Sequence, residues 1–337
     1  MKIKAFIKKL LDENTKYGDI FPNDAKKIPL SYKDWCKKIH PDVCADPQAT
    51  DAFMRLQEFY NEATAAVCSG TWEGTNYIEF VTTNGKHLQL KYLYHCVFEI
   101  GEYYICNKHI IYVFDFSKKK YYNNYINQIK KLSFVDKPME DMFKPLFPHD
   151  VLEYDTINDK HIIVVPKTED VYPLRCVIEN FFNNNIPDTH LAWMMSRLMN
   201  ISCYLKFNDI VCNGINIDNC FVSLEYHTIL LIGGWWYATK ENEKMLGTTS
   251  EIYGIMPPKV KADKISSSIT DVESIKAFGR KYLADSAPDA FKNFVNSGTI
   301  ANSMKEMEKW DKALMDSFGK RKFIKIDATA KQVYKLS

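Results

Sequence analysis

The chain has 337 residues, of which 46% are hydrophobic and 26% are charged, and its formal net charge is +2. This composition favours a folded protein with a real core and excludes global disorder. The nearly balanced charge gives no general attraction to nucleic acid or to an anionic membrane. No apolar run reaches the roughly 18 residues that a membrane span needs. We therefore expect neither nucleic acid nor membrane as a partner.

The cysteines indicate a reducing compartment. The chain has nine of them, an odd number, and no Cys-x-x-Cys pair. This pattern predicts free thiols in a cytoplasmic protein and argues against a zinc site. We expect no other metal and no cofactor. The N-terminus has lysines inside its apolar run, which is typical of an amphipathic helix and not of a signal peptide. A composition rich in Asn, Lys and Ile is typical of AT-rich genomes, such as those of some bacterial viruses.

Residues 1–68 have the pattern of a helical domain. A first helix is predicted from the apolar stripe between Ile3 and Leu11, and a loop with Gly18, Pro22 and Pro29 follows. Two further stretches repeat apolar residues at helical spacing: Tyr32, Trp35, Cys36 and Ile39, then Phe53, Leu56, Phe59, Tyr60 and Ala63. Prolines 41 and 47 mark a turn between them, so we predict an antiparallel helix hairpin.

The tip of this hairpin has the sequence His40-Pro41-Asp42. A helix hairpin with this tripeptide at its tip resembles the J-domain of the DnaJ co-chaperone family. The resemblance implies that the loop docks on a DnaK-type chaperone and promotes ATP hydrolysis by that partner. It also implies that a basic side of the preceding helix meets an acidic patch on the chaperone. The chaperone-binding residues predicted in this way are His40, Pro41, Asp42, Lys33, Lys37 and Lys38.

After a predicted linker at residues 69–74, the pattern becomes that of strands. Asn84-Gly85 predicts a tight hairpin, and Asn107-Lys108 predicts a second turn. The other predicted strands lie at 97–105, 109–116, 162–166, 220–223 and 227–232. The predicted helices lie at 119–132, 191–205, 271–285 and 302–318, and a basic, mobile tail is predicted at 319–337.

A β-rich part followed by a helical part suggests two lobes, and four local segments support that division. Residues 213–223 and 227–236 look like the catalytic loop and metal-binding segment of a protein kinase. Residues 247–258 resemble the end of a kinase activation segment, and 271–274 resemble the start of the helix after it. The resemblance covers residues 75–318, with a small lobe at 75–150 and a large lobe at 151–318. The predicted fold class is therefore α+β: a J-like helical hairpin domain followed by a two-lobed kinase-like domain.

The departures from the kinase pattern affect all but one of the groups that carry its chemistry. Phosphoryl transfer needs positioned carboxylates and a lysine to orient a hydroxyl and to neutralise phosphate charge. In the large lobe, the resemblance places Gly214 where the family has its catalytic Asp, Asn216 at the loop lysine and Gly233 at the metal-binding Asp. In the small lobe, it places Asp115 near the lysine, and Gly101 is the one glycine of the phosphate loop. Only Asn219, at the second metal ligand, matches the family. We therefore predict a domain without catalytic activity.

Other interpretations of these residues stay open. Residues 212–236 could be an unrelated β-hairpin with a glycine turn, and Asp218 and Asn219 could be turn residues. Asp271 is expected to cap its helix. The pair Trp235 and Trp236 is expected to be buried, although a binding patch around 233–237 is the alternative.

The sequence favours a co-chaperone adaptor that recruits a DnaK-type chaperone and stimulates its ATPase. The kinase-like domain would bind a target protein, and the chain would not be an enzyme. One alternative is an active atypical kinase that uses Asp209 or Asp218 as its base or metal ligand. The other is an interaction scaffold that recruits no chaperone.

Overall fold

The computed structural model describes residues 3–22, 26–69, 77–299, 302–320 and 325–335. It is a mixed structure of helices and antiparallel sheet, in agreement with the predicted α+β class. The chain divides into two units, Met1–Glu79 with Gln89–Tyr92, and Phe80–Leu88 with Leu93–Leu336. Most of the linker predicted at 69–74 lies outside the described residues.

Three helices make up most of the smaller unit: α1 (Ile3–Leu10), α2 (Lys27–Ile39) and α3 (Ala49–Ser69). They confirm the three helices predicted from apolar spacing. Pro29 was predicted in the preceding loop, but it lies in the first turn of α2. Proline is tolerated there because the first N–H groups of a helix have no partner within it.

Aromatic contacts fix the direction of the hairpin. Tyr32 stacks on Tyr60 with ring centroids 4.2 Å apart, and His40 meets the edge of Phe53 at 5.1 Å. Because the contact moves towards the start of α3 as α2 advances, the two helices are antiparallel, as predicted. A small apolar core fills the space between the helices: Phe6, Ile7, Leu10, Phe21, Ile28, Ile39, Ala52, Leu56, Phe59 and Ala63.

A six-stranded sheet has the order β1-β2-β3-β4-β6-β5. The predicted turn at Asn84-Gly85 is confirmed, and Gly85 has the positive φ of 81° that such turns favour. The strand predicted at 97–105 is wrong, because Glu99 and Ile100 form a two-residue turn there. The strands are β1 (Tyr77–Val81), β2 (His87–Phe98), β3 (Gly101–Cys106), β4 (His109–Asp115), β5 (Leu152–Asp155) and β6 (Lys160–Pro166).

Replacing Gly101 with alanine is expected to lower the free energy of unfolding by about 2–3 kcal/mol, as overpacking does. A Cβ at Gly101 would lie 2.2 Å from the carbonyl oxygen of Val113, a backbone atom of the neighbouring strand. Denaturant titration measures the loss. Gly298→Ala is the control, because a Cβ there meets nothing within 4 Å. Equal losses in both variants would contradict the close approach.

The remainder of the larger unit is mainly helical. The four helices predicted at 119–132, 191–205, 271–285 and 302–318 are confirmed as α4, α7, α10 and α12. The helices are α4 (Lys119–Ile129), α5 (Lys137–Phe143), α6 (Leu174–Cys176), α7 (Asp188–Phe207), α8 (Ser250–Ile255), α9 (Pro258–Asp263), α10 (Ser268–Tyr282), α11 (Asp289–Asn296), α12 (Ser303–Phe318) and α13 (Ala330–Tyr334). The short strands are β7 (Val171–Pro173), β8 (Ile210–Val211), β9 (Cys220–Ser223), β10 (Thr228–Leu231) and β11 (Thr239–Lys240).

The end of the chain differs from the mobile tail that we predicted. In α13, Val333 and Tyr334 are buried in the core of the larger unit. The side-chain nitrogen of Asn180 donates a hydrogen bond of 2.7 Å to the carbonyl of Val333. Part of the basic stretch, residues 321–324, lies outside the described residues.

Candidate functional site

The predicted tripeptide lies at the tip of the helix hairpin. His40 ends α2, and Pro41 and Asp42 follow in the turn before α3. The side chains of His40 and Asp42 are 45% and 86% exposed, and Asp42 Oδ2 lies 3.5 Å from His40 Nδ1. His40 Nδ1 also accepts a hydrogen bond from the backbone N–H of Asp42 at 3.2 Å. The tip thus presents an imidazole and a carboxylate to solvent in one local arrangement.

The three predicted lysines are exposed on α2, the helix that leads to this tip. Lys38 pairs with Asp34 at 2.6 Å, which leaves less of its charge for a partner. Lys33 and Lys37 are one helical turn apart and share a side of the helix. Neither has a carboxylate within ion-pair distance among the described residues. They are therefore the stronger candidates for an acidic partner.

In the larger unit, the structure brings together four of the predicted kinase positions. Asn219 Nδ2 donates to the carbonyl of Gly214 at 2.6 Å, and the N–H of Gly233 donates to the carbonyl of Asn219 at 2.9 Å. The N–H of Asn219 donates to Asn216 Oδ1 at 3.1 Å. Asn219 and Asn216 thus act as turn residues here, because their side chains bond to backbone groups of the loop.

The two glycines of this cluster differ in the space around them. A Cβ at Gly233 would lie 2.8 Å from Asn219 Oδ1 and 3.2 Å from the hydroxyl of Tyr112. A Cβ at Gly214 would lie 3.4 Å from Asn219 Nδ2, which is an ordinary contact. A side chain at Gly233, where the kinase resemblance has its metal ligand, would therefore have to displace Asn219.

The carboxylate of Asp271 binds the backbone at the start of the loop that contains Gly214. The N–H groups of Cys212 and Asn213 donate to its two carboxylate oxygens at 2.8 and 3.0 Å. Our expectation that Asp271 caps its own helix is wrong, because Ser267 is the N-cap of α10 and bonds to the N–H of Ile269. Burial raises the pKa of Asp271 to about 7, and the two backbone N–H groups oppose that rise.

Replacing Asp271 with alanine is expected to lower the free energy of unfolding by about 2–4 kcal/mol, since two buried N–H groups lose their acceptor. Asp271→Asn, which retains one acceptor oxygen, should lose less. Asp263→Ala is the control, because Asp263 is exposed at the end of α9. Thermal and denaturant unfolding measure the losses. An Asp271→Ala variant as stable as the control would contradict the role of this carboxylate.

The same carboxylate predicts a pH dependence. Its pKa rises from 3.8 to about 7 on folding, so the folded chain holds a proton that the unfolded chain releases in this window. The contribution of Asp271 to stability therefore declines as the pH rises from about 4 to 7 and is flat above that range. We expect the stability difference between wild type and Asp271→Asn to shrink between pH 5 and 8. A stability difference that grows with pH would contradict the raised pKa of Asp271.

Asp115, a predicted kinase position of the small lobe, lies outside the cluster of Gly214, Asn216, Asn219 and Gly233. Asp115 is exposed at the end of β4, where it pairs with Lys160 of the neighbouring strand. The residue of β4 that faces Gly233 is Tyr112, which is 1% exposed. That Asp115 corresponds to the lysine position of the kinase pattern stays a prediction. Tyr112 was not predicted as a neighbour of this loop, because an aromatic residue in a strand pattern indicates only that it is buried in the core.

Helix α4 holds the segment after Gly233 in place. Tyr125 donates through its hydroxyl to the carbonyl of Ile232 at 2.9 Å. Asn124 donates through Nδ2 to the carbonyls of Trp236 and Ala238 at 3.1 and 2.8 Å. An amide and a phenol of α4 thus bind the backbone of this segment.

The turn between β2 and β3 gives no phosphate cradle. Gly101 opens β3, and its lack of a Cβ serves the close approach of Val113. Ile100 of the turn is 4% exposed. A phosphate loop needs several backbone N–H groups that converge on the ligand, and glycines permit that approach. A two-residue turn with one buried apolar side chain offers no such group of donors.

Arg175 binds the carboxylate that the atypical-kinase alternative would use. Its Nε and Nη2 both donate to Asp218, the latter at 2.6 Å, and its Nη1 donates to Glu179 at 2.7 Å. Asp209, the other candidate, is half-exposed and lies 3.6 Å from Lys240. Both carboxylates thus have a cation beside them already. No group of three or more metal-ligating side chains occurs within the described ranges.

The segment 233–237 is not a surface patch. Trp235, Trp236 and Tyr237 are 1%, 3% and 3% exposed. The predicted burial of the two tryptophans is confirmed, and an exposed patch is ruled out. Asn213 is another residue that the sequence did not reveal. It is fully buried with a φ of 56°, and its Nδ2 donates to Thr239 Oγ1 at 2.9 Å. Asparagine tolerates this left-handed conformation better than most residues.

Comparison with known proteins finds no family model that matches the chain and no curated protein that is similar to it. Among the helices that the structure describes, none is both long and apolar enough to cross a membrane.

Proposed function

We propose that this chain is a co-chaperone adaptor. Residues 1–68 are a J-like domain that recruits a DnaK-type chaperone and stimulates its ATPase. Residues 75–318 are a kinase-like domain without catalysis that binds a target protein. The observation that carries the proposal is the exposed His40-Pro41-Asp42 tip on an antiparallel hairpin.

The tip supports a docking role more than a structural one. His40 Nδ1 accepts from the N–H of Asp42, but the two side chains remain 45% and 86% exposed and can be reached by a partner. The neighbouring Lys33 and Lys37 add positive charge without an internal partner among the described residues. Charges of this kind raise the rate of association with an acidic surface and lose effect as salt increases.

The non-catalytic role of the second domain is supported by the residues of its loop cluster, Gly214, Asn216, Asn219 and Gly233. Gly214 and Gly233 bring no carboxylate, and a side chain at Gly233 would have to displace Asn219. Asp218 has both oxygens engaged by Arg175. A fold of this kind can still bind a protein, since fold and function are separable.

The test is the ATPase of a purified DnaK-type chaperone from the native cell, measured with increasing amounts of the full-length chain. We expect saturable stimulation. In parallel, the chain with Mg-ATP should transfer no phosphate to itself or to a generic substrate. Failure to stimulate any such chaperone would overturn the co-chaperone role. Phosphotransfer lost in Asp218→Asn would favour the atypical kinase instead, and target binding without stimulation would favour the scaffold.

A further inference from the structure

The last described segment, residues 325–335, occupies a groove of the larger unit, and we call this segment the latch. Val333 and Tyr334 are its buried side chains near the end of α13. The ring centroid of Tyr334 lies 6.3 Å from that of Tyr94 in β2 and 5.7 Å from that of Tyr172 in β7. Because β2 and β7 belong to different sheets, the latch contacts two separate parts of this unit.

The wall of the groove is fixed by contacts that do not involve the latch. Tyr172 of β7 pairs with Val222 of β9. Asn180, whose side chain donates to the carbonyl of Val333 at 2.7 Å, lies in a turn of π-helix at Val177–Phe181. Such turns are rare and are frequent at functional sites. The latch therefore docks on a wall that other elements hold, at a place where the helix geometry is irregular.

The latch, in contrast, has little structure of its own. Its helix, α13, has five residues, whereas isolated helices shorter than about 12 residues are marginal in water. Gly319, with a φ of 64°, ends α12 and separates the latch from that helix. Elements with few buried contacts open locally while the remaining structure stays folded. The latch is thus an element that is helical when docked and can leave the groove.

The latch is also an imperfect occupant of the groove. The hydroxyl of Tyr334 is buried and has no hydrogen-bond partner in the part of the chain that the structure describes. A buried donor without an acceptor is unfavourable. An occupant with phenylalanine at this position would bury a ring without that unpaired group. Such a segment would bind more tightly than the latch and displace it.

We propose that this groove is the docking site for the target protein, and that the latch closes it when the target is absent. The occupant is a short helical segment of the target that follows the pattern of the latch. In that pattern Thr329 caps the helix, and Val333 and Tyr334 enter the groove. The target would carry Val followed by an aromatic residue, Phe in preference to Tyr. Since the proposed function gives target binding to the larger unit, this assignment rests on that function and names the chemistry of the target.

Replacing Val333 with aspartate in the full-length chain is expected to release the latch, because a charge would be buried in an apolar contact. The probe is a fluorescent peptide with the sequence of residues 325–335, and fluorescence polarisation measures its binding. We expect the peptide to bind Val333→Asp at least about tenfold more tightly than wild type, in which the docked latch keeps the open fraction small. Lys331→Asp, at an exposed position of the same helix, is the control and should bind the peptide as weakly as wild type does.

Two results with this variant would overturn the proposal. If Val333→Asp keeps its circular dichroism spectrum and its thermal transition but binds no peptide, the groove is not a docking site. If the substitution unfolds the larger unit together with the latch, residues 325–335 are an inseparable part of the core and cannot act as a latch.

Peptide variants test the chemistry of the occupant. On the Val333→Asp chain, the peptide with Tyr334→Phe should bind at least about threefold more tightly than the original peptide, because the unpaired hydroxyl is removed. The peptide with Tyr334→Ala should bind at least about tenfold more weakly, because buried aromatic anchors carry much of the energy of an interface. Equal binding of all three peptides would show that the aromatic ring does not anchor the occupant.

Competition with the natural target separates this assignment from the proposed function. Val333→Asp should capture more target from the native cell than wild type does, and an excess of the peptide with Tyr334→Phe should release it. Equal capture, or a target that the peptide does not release, would overturn the groove as the docking site and leave the adaptor role intact. If the chain stimulates no chaperone while Val333→Asp still binds the peptide and loses its target to it, the co-chaperone role is wrong and the groove assignment stands.

Discussion

Replacing His40 with glutamine, or Asp42 with asparagine, is expected to reduce stimulation of the chaperone ATPase by at least about tenfold, because central contacts of an interface carry most of its energy. Both side chains are exposed at the tip, and the hairpin core does not depend on them. His40 has one aromatic contact, with the edge of Phe53 at 5.1 Å. The fold should therefore survive, with a change in stability below about 1 kcal/mol.

Asp51→Asn is the matched control for Asp42→Asn. Asp51 is an exposed acidic residue in the first turn of α3, so its replacement makes the same charge change outside the tip. Circular dichroism and thermal unfolding should be the same for all variants. If His40→Gln and Asp42→Asn stimulate the ATPase as well as Asp51→Asn does, the tip is not the docking element.

Replacing Gly233 with aspartate is expected to lower the free energy of unfolding by at least about 3 kcal/mol, because a buried, unpaired carboxylate and a steric conflict coincide. The substitution restores the residue that the kinase pattern has at this place. The Cβ alone would lie 2.8 Å from Asn219 Oδ1 and 3.0 Å from Asn219 Cα. The second of these is a backbone atom that cannot rotate away. We expect no gain of Mg²⁺-dependent phosphotransfer.

The control for this substitution is Gly254→Asp. A Cβ at Gly254 in α8 meets nothing within 4 Å, and the residue is exposed. Its stability should change by less than about 0.5 kcal/mol, as is usual at the surface. Gly214→Asp, where the contacts are ordinary, should be intermediate. A Gly233→Asp chain that is stable and binds Mg-ATP would show that the loop cluster can still accept a metal.

Local pattern was enough to predict most of the helices. Periodic apolar residues predicted α1, α3 and α7, since each of these helices buries one or more faces. The turn at Glu99 and Ile100 was missed because apolar residues continue on both sides of it and its one glycine follows the turn. Pro29 was misplaced because proline fits both a loop and the first turn of a helix.

The contacts that organise the loop cluster could not be predicted, because they join distant parts of the chain. Asp271 reaches Cys212 across 59 positions, and Arg175 reaches Asp218 across 43. Pairs of residues this far apart in the chain produce no periodic pattern in the sequence. The His40-Pro41-Asp42 tip, in contrast, depends on two adjacent helices, so its position and exposure were predictable from the local pattern.

The central claim is that one chain bridges a DnaK-type chaperone and a separate target. Affinity capture from the native cell with the full-length wild type and with Asp42→Asn tests it most directly. A misfolded bait would also capture a chaperone, so the variant is essential to the comparison. We expect wild type to capture the chaperone and a second protein, and Asp42→Asn to lose the chaperone while it retains the second protein. Equal amounts of chaperone on both baits, or no chaperone on wild type, would contradict the claim.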